Sequence, residues 1–184
     1  MATTYNAMSQ AEVLTQVVRL TGLNSADAGE LAMMYAALSS AAVAVCNYRN
    51  WWFLQTSDTF ETVADTDSYD LTAAGGGSMA DVKSIQRVVY NSDSSSSRQR
   101  LKLLSYNDYL EIVDRETTSG TPRTYTPFGL NTIYLHPTPN AAETTKVHYT
   151  KRHPKFVAGA ADGDLIIPGD YHYPIYVGGA TWLL

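Results

Sequence analysis

Cysteine, basic residues and long apolar stretches are all scarce in this chain, and each scarcity excludes a class of protein. Cys46 is the single cysteine, so an intramolecular disulfide framework is impossible. No apolar run approaches the roughly 18 residues of a membrane span. The N-terminal region also lacks a basic start followed by an apolar core, which argues against a signal peptide. We therefore expect a protein of the reducing cytosol that makes no contact with a membrane.

Basic side chains are rarest in the first half of the sequence. Residues 1–82 contain two of them, Arg19 and Arg49, against nine acidic ones, and the whole chain has a formal charge of −5. Affinity for phosphates comes mainly from Lys and Arg, so this balance argues against a free nucleic-acid binder. One basic group, Arg98, Arg100 and Lys102, is the candidate for a DNA contact. The alternative is a solvated face, or salt-bridge partners for the acidic N-terminal half.

The sequence also lacks the motifs of catalysis and of cofactor binding. The glycine-rich run 75–78 has no following Lys, which a phosphate-binding loop requires. His136 and His148 are predicted to be cross-strand neighbours, but two histidines without a third ligand make a poor zinc site. Asp108 and Glu111 share a helical face and are interpreted as a solvated acidic surface. A carbohydrate- or cell-wall-acting module that uses this pair is the alternative. We predict no catalytic residue, no metal and no cofactor.

Two helices are predicted at the start of the chain. Ser9 and Glu12 form a capping box for the first helix, and Gly22 suits its C-terminal end. The second helix, over residues 26–49, begins after Ser25. Its apolar face is predicted to contain Leu31, Met34, Leu38, Ala41, Val45 and Tyr48. Small side chains flank this face, so the helix is either a central core element or a rod whose second face packs on another subunit. In the second case the interface residues are Ala32, Ala36, Ser40 and Ala44.

The remainder of the sequence predicts an antiparallel β module followed by a last helix. Strands are predicted at 54–63, 69–71, 82–90 and 101–104, with a short helix over 106–115 that begins at Ser105. A three-stranded antiparallel meander is predicted at 121–125, 132–136 and 144–152. Asp170 is predicted to cap the last helix, and Gly178-Gly179 inside it indicates close helix packing. The helix reaches Leu184 without a cap, so we expect the natural helix to continue.

The predicted fold class is therefore α+β. N-terminal helices and a C-terminal helix form a helical bundle, and an antiparallel β-meander or sandwich-like module is inserted between them. The predicted boundaries are 1–50 for a helical ring-forming region, 51–156 for the β module with its short helix, and 157–184 for a C-terminal segment that packs on the N-terminal helices.

Four stretches resemble one known family when they are taken in order. They are NYRNWWFLQTSDTFETV, then DSYDL followed by DVKSIQRVVY, then LKLLSYNDYLEIVDRETTSGTPRTYTPFGLNTIYLHPTPNAAETTKVHYTKRHP, and finally DGDLIIPGDYHYPIYVGGATWLL. This order and spacing resemble the head-to-tail adaptor proteins of tailed bacteriophages, also called head-completion or connector proteins. Leu71-Thr72 departs from the Leu-Pro that is usual there.

The resemblance implies a structural protein rather than an enzyme. It implies a homo-oligomeric ring, usually of twelve subunits, beneath the portal protein in the neck of the virion, after synthesis in the host cytoplasm. Such a ring extends the channel through which packaged DNA passes and helps to retain the genome. It also offers a platform to a tail, nozzle or tail-completion protein. Because the family's C-terminal segment commonly docks on the portal, Tyr173, Tyr176 and Trp182 are the expected docking residues.

Overall fold

A computed structural model describes residues 7–73, 79–115, 118–157 and 165–184. The chain forms two compact units. The helical unit comprises Met1–Leu54 and Arg152–Leu184, and the β unit comprises Gln55–Lys151. The chain is thus mixed α+β with antiparallel sheets, as predicted. The glycine-rich run 75–78 and residues 162–164, where the sequence Asp-Gly-Asp favours a turn, lie outside the described residues.

The helices are α1 (Gln10–Thr21), α2 (Ala28–Tyr48), α3 (Tyr106–Val113) and α4 (Gly179–Leu183), and α3 belongs to the β unit. Short 3-10 turns lie at Trp52–Leu54 and Gly169–Tyr171, and a π-helix, His172–Gly178, leads directly into α4. The last helical segment is therefore π followed by α. The side-chain cap predicted at Asp170 is wrong, since Pro168 precedes the 3-10 turn and makes no side-chain cap bond.

Side-chain hydrogen bonds fix where α1 and α2 begin. The predicted capping box is confirmed: the Glu12 amide donates to Ser9 Oγ at 3.2 Å, and the Ser9 amide donates to Glu12 Oε2 at 2.7 Å. Gly22 ends α1 with φ +75°, the left-handed conformation that glycine adopts without strain. The start predicted for α2 is wrong by two residues. Asp27 Oδ1, rather than Ser25, accepts the amides of Gly29 and Glu30, both at 2.9 Å.

The core of the helical unit is built by apolar stripes on its helices. Val13 and Val17 of α1 and Met34 and Leu38 of α2 are fully buried, and they meet residues from the C-terminal part of the chain. Those C-terminal residues are Phe156, Leu165, Ile167, Tyr176, Val177 and Ala180. The C-terminal segment thus packs on the N-terminal helices.

One position of the apolar face predicted for α2 is wrong, because Tyr48 is 85% exposed. In α2 the buried stripe instead continues to Ala42 and Cys46. A helix has 3.6 residues per turn, so the buried side follows that period and the predicted spacing rotates away from it by Tyr48.

Close helix contact is confirmed at one glycine. A Cβ on Gly179 would lie 2.8 Å from the Cβ of Ala41, so α4 approaches α2 where no side chain intervenes. A methyl group added at Gly178 would have the Tyr173 carbonyl oxygen as its nearest neighbour at 3.8 Å, an ordinary contact distance. Only the second glycine of the pair is therefore required by packing.

Helix α2 is also long and apolar enough to cross a membrane. Its 21 residues have a mean hydropathy of 1.5 in the most apolar stretch, so the prediction that no run approaches this length is wrong. A core helix passes the same test of length and composition. The buried stripe of α2 lies in the core of the helical unit, whereas its exposed side is rich in alanine.

The β unit contains two four-stranded sheets with one apolar core. The first sheet has the order β1 (Gln55–Glu61), β10 (Thr144–Lys151), β3 (Val82–Tyr90) and β4 (Gln99–Arg100), and all its neighbours are antiparallel. The second has the order β2 (Ser68–Asp70), β8 (Thr132–His136), β7 (Thr124–Phe128) and β5 (Lys102–Leu103), with β5 parallel to β7. The strands β6 (Ser119–Gly120) and β9 (Thr138–Pro139) form a separate parallel pair. Side chains from both large sheets, including Phe60, Val147, Ile133 and Leu135, form the shared core.

The predicted three-stranded meander is wrong in its third strand. β7 and β8 form an antiparallel hairpin, but β10 leaves them and inserts between β1 and β3 of the other sheet. His136 and His148 therefore lie in different sheets and are not cross-strand neighbours. The strand predicted at 101–104 is likewise wrong as a single element, because the chain passes there from β4 in the first sheet to β5 in the second.

Candidate functional site

The exposed face of α2 is lined by small side chains. Ala32, Ala36, Ser40 and Ala44 lie four residues apart along one side of the helix, and all four are exposed. A helix of 21 residues is about 31 Å long, so these positions define a long, narrow strip. Small residues let the backbone of a second element approach closely. This strip is the alanine face of α2.

A groove of about 690 Å³ runs beside the alanine face. Ala32, Ala36 and Ser40 line one side, and Lys155, Phe156 and Val157 line the other. The Phe156 amide donates to Ser39 Oγ at 2.9 Å, which ties the second wall to α2. Leu31 and Tyr35 add apolar surface along the helix. The groove is therefore built from two distant parts of the sequence.

The C-terminal segment exposes a second apolar surface. Tyr173 is 52% exposed and Trp182 is 82% exposed, so two of the three expected docking residues lie on the surface. Tyr171, Leu183 and Leu184 are exposed beside them in the sequence. Tyr176 is fully buried, and it cannot present its ring to another protein while the helical unit is folded. Tyr176 is therefore removed from the docking set.

Tyr176 belongs to a buried hydrogen-bond network. Its hydroxyl lies 2.8 Å from His153 Nε2 and accepts the Ile167 amide at 3.4 Å. His153 Nδ1 lies 2.5 Å from the carbonyl oxygen of Pro154. A carbonyl oxygen can only accept, so Nδ1 of His153 carries the proton and Nε2 accepts the Tyr176 hydroxyl. Burial raises the pKa of Tyr176 well above its usual value, and the hydroxyl stays protonated to serve as this donor.

His172 extends the buried network to the start of the chain. Its Nε2 lies 2.7 Å from the Ile167 carbonyl oxygen, so this nitrogen donates. Its Nδ1 lies 3.2 Å from both the amide nitrogen and the carbonyl oxygen of Met8, and in the neutral ring with Nε2 protonated it accepts the amide. The two histidines and Tyr176 thus connect the segments around Met8, Pro154 and Ile167. These buried polar groups hold the helical unit together and face no surface, so they form no binding site.

A basic cleft lies on the outer face of the β1–β10–β3–β4 sheet. Arg98 and Arg100 line it, as do Arg87, Lys146 and His148. Arg98 donates twice to the Ser92 carbonyl oxygen, at 3.1 and 2.8 Å from Nε and Nη2. Lys102, the third basic residue of the sequence group, lies on β5 in the other sheet and does not line this cleft.

Asp108 and Glu111 of α3 have separate partners. Asp108 Oδ2 accepts the Ser105 hydroxyl at 2.7 Å, and the Asp108 amide donates back to Ser105 Oγ at 3.2 Å, so Asp108 serves the start of α3. Glu111 lies 3.9 Å from Arg115 with both side chains largely exposed. Among the described residues no group of three or more His, Cys, Asp or Glu is placed to hold a metal ion. The alternative of a carbohydrate-acting site gains no support from this geometry.

Sequence reasoning missed the second wall of the groove and half of the basic cleft. Lys155, Phe156 and Val157 reach α2 from more than a hundred positions away, and no local signal marks that contact. Arg87 in β3 and Lys146 in β10 are each next in sequence to a buried valine, and side chains alternate between the two faces of a strand. Their outward direction was therefore predictable. Their meeting was not, because it requires the pairing of β3 with β10.

Exposed apolar strips on a chain of this size are typical of a protein that assembles with other proteins. The comparison with known families agrees, since the model of the SU10 adaptor protein family matches residues 5–182. The chain therefore belongs to the SU10 adaptor family, a family of phage head–tail adaptors. No curated protein matches the chain.

Proposed function

We propose that this adaptor is a structural ring protein of the phage neck. Copies of the chain form a ring, with twelve subunits as the family resemblance suggests, between the portal of the capsid and the tail. The ring extends the channel for packaged DNA, helps to retain the genome and provides the platform for the tail. The observation that carries the proposal is the alanine face of α2 with its adjoining groove.

The alanine face suits contact between identical rods. Exposed alanine and serine side chains at 32, 36, 40 and 44 leave little bulk between two helix backbones. The groove beside them offers apolar walls from Leu31, Phe156 and Val157. A contact between this face and a different face of the next copy is heterologous, and such contacts give a closed ring when their rotation closes. The occupant we propose is therefore a second copy of the chain.

The exposed C-terminal aromatics are proposed to dock on the portal. Trp and Tyr supply large contact areas with few rotatable bonds, which makes them frequent anchors of interfaces. Trp182 and Tyr173 carry this role, and Tyr176 does not because it is buried. A lytic function in addition to this structural role is not favoured by any carboxylate pair or metal cluster among the described residues.

The ring is tested by mixing the purified chain with portal particles and imaging the complexes by negative-stain electron microscopy. We expect closed rings on the portal with the unmodified chain, and none with Ala36→Arg, because a guanidinium at the centre of the alanine face blocks close packing. Ala11→Arg on the exposed side of α1 is the matched control and should leave the rings intact. Circular dichroism checks that both variants fold.

A chain that stays monomeric on portal particles contradicts the ring. A ring that forms equally with Ala36→Arg retains the adaptor role but contradicts the assignment of α2 to the subunit contact. The docking residues are tested in the same images. Trp182→Ala should reduce the fraction of portals that carry a ring, whereas Trp52→Ala, which removes an exposed tryptophan outside the C-terminal segment, should leave that fraction unchanged.

A further inference from the structure

The basic cleft places its strand-borne basic residues in two adjacent rows on one face of β10, β3 and β4. In an antiparallel sheet, directly opposite residues project to the same face. His148 is opposite Arg87, Lys146 is opposite Val89, and Val89 is in turn opposite Arg100. Thr59 of β1 is opposite Lys146 on the other side. The outer face of the sheet therefore presents Arg100, Arg87, Lys146 and His148 together, while the alternate residues point into the core.

The cations of this cleft are not neutralised by an ion pair within the described part of the chain. Neither of the two ion pairs found there involves Arg87, Arg98, Arg100 or Lys146. Asp93 is the one carboxylate among the residues that line the cleft. Burial and the nearby charges of Arg87 and Lys146 lower the pKa of His148, and Arg87 Nη2 lies 3.0 Å from His148 Nε2. Like charges side by side on a sheet repel, so an anion placed here would be stabilised.

The dimensions of the cleft suit a chain of phosphates rather than one phosphate ion. The basic residues extend from β10 to β4, two strand spacings or about 10 Å, which is wider than a single phosphate ion. The open volume is about 720 Å³. Its lining residues are Thr59, Arg87, Val89, Ser92, Asp93, Arg98, Arg100, Lys146 and His148, so the described lining includes no Phe, Tyr or Trp ring on which a base could stack. A protein that binds single strands normally needs such a platform.

We propose that the outer face of this sheet binds the phosphate backbone of double-stranded DNA, without reading its sequence, through Arg87, Arg98, Arg100 and Lys146. Contacts with phosphates alone position a protein on a duplex and carry no sequence information. The net charge of −5 makes the affinity low, and the release of counterions from the contacted phosphates makes it strongly dependent on salt. The contact does not require a ring, so it can fail or hold independently of the function proposed above.

The test is fluorescence anisotropy of a short labelled duplex, titrated with the purified chain at several salt concentrations. Four phosphate contacts give a slope of log affinity against log salt of about −3.6, which is a roughly 1,400-fold loss of affinity between about 20 and 150 mM salt. Each of Arg87→Gln, Arg100→Gln and Lys146→Gln should reduce the magnitude of the slope by about 0.9. Lys102→Gln in the other sheet and Arg19→Gln on α1 remove the same charge elsewhere and should leave the slope unchanged.

Four outcomes contradict the proposal. One is an equal slope for the cleft variants and the two controls. A second is tighter binding of the matching single strand, which would require base contacts. A third is displacement of the duplex by inorganic phosphate at low millimolar concentration, which indicates a small-anion site. The fourth is self-association at low salt, measured by sedimentation, if the cleft variants lose this self-association but keep their DNA binding. The partner of the cleft is then an acidic surface of another copy. Thermal melts check folding, and the three single substitutions test the same face independently.

Discussion

Replacing Tyr176 with Phe tests the buried network of the helical unit most directly. The substitution keeps the aromatic ring, which is fully buried against Phe156 and the two histidines, and removes only the hydroxyl. His153 Nε2 then loses the donor that lies 2.8 Å away, and the Ile167 amide loses its acceptor at 3.4 Å.

The expected cost is about 2 kcal/mol of the free energy of unfolding. A buried polar group that loses its partner costs about 1–3 kcal/mol. The hydrogen bond to His153 is short and accounts for most of this cost, whereas the hydrogen bond from the Ile167 amide is long and contributes little. For a unit of this size the cost corresponds to a fall in melting temperature on the order of 10 °C.

The assay is thermal and urea unfolding followed by tryptophan fluorescence. All three tryptophans, Trp51, Trp52 and Trp182, lie in the helical unit, so their signal reports that unit and not the β unit. Tyr173→Phe removes a hydroxyl from a half-exposed residue in the same segment and should change stability by less than about 0.5 kcal/mol. Equal melting temperatures for Tyr176→Phe and Tyr173→Phe would refute the network as a source of stability. A double substitution of Tyr176→Phe with His153→Leu should cost less than the sum of the single changes by about 1 kcal/mol.

Two further predictions concern the glycine pair and His148. Gly179→Ala should lower the stability of the helical unit by about 1–3 kcal/mol, because the new methyl group meets the Cβ of Ala41 at 2.8 Å. Gly178→Ala should raise the stability by up to about 1 kcal/mol, because alanine has the higher helix propensity. Urea unfolding monitored by tryptophan fluorescence measures both changes, and shifts of the same sign would contradict the packing. His148 should titrate below the usual histidine pKa of about 6.5 in NMR spectra, and Arg87→Gln should raise its pKa by removing a neighbouring cation. Because folding lowers this pKa, the contribution of His148 to stability is present above about pH 6.5 and is lost as the pH falls from there through the lower pKa of the folded state. If Arg87→Gln leaves the pKa of His148 unchanged, the cause assigned to Arg87 is contradicted.

Local signals predicted the elements well. Ser9 and Glu12 mark the start of α1, Ser105 marks the start of α3, and the predicted strand 82–90 coincides with β3. Each of these rests on residues within a few positions of one another, where capping chemistry and alternation act. The alanine spacing on α2 also placed Ala32, Ala36, Ser40 and Ala44 on one side of a helix.

The pairing of distant segments could not be predicted in the same way. Alternation shows that 144–151 is a strand, but it does not choose between β8 and β1 as a neighbour, so the meander was predicted in place of two sheets. Tyr176 has an amphipathic side chain that suits either a surface or a core. Its burial depends on His153 and Ile167, which arrive from other parts of the chain.

The divided helical unit has a consequence for how the chain matures on the ribosome. α1 and α2 emerge first, but the residues that cover their apolar stripes, among them Tyr176 and Val177, are translated after the whole β unit. The second wall of the groove, at Lys155–Val157, is equally late. A nascent or prematurely terminated copy lacks that wall and therefore lacks the finished groove. If the groove receives a second copy as proposed above, the order of synthesis keeps incomplete copies out of the ring.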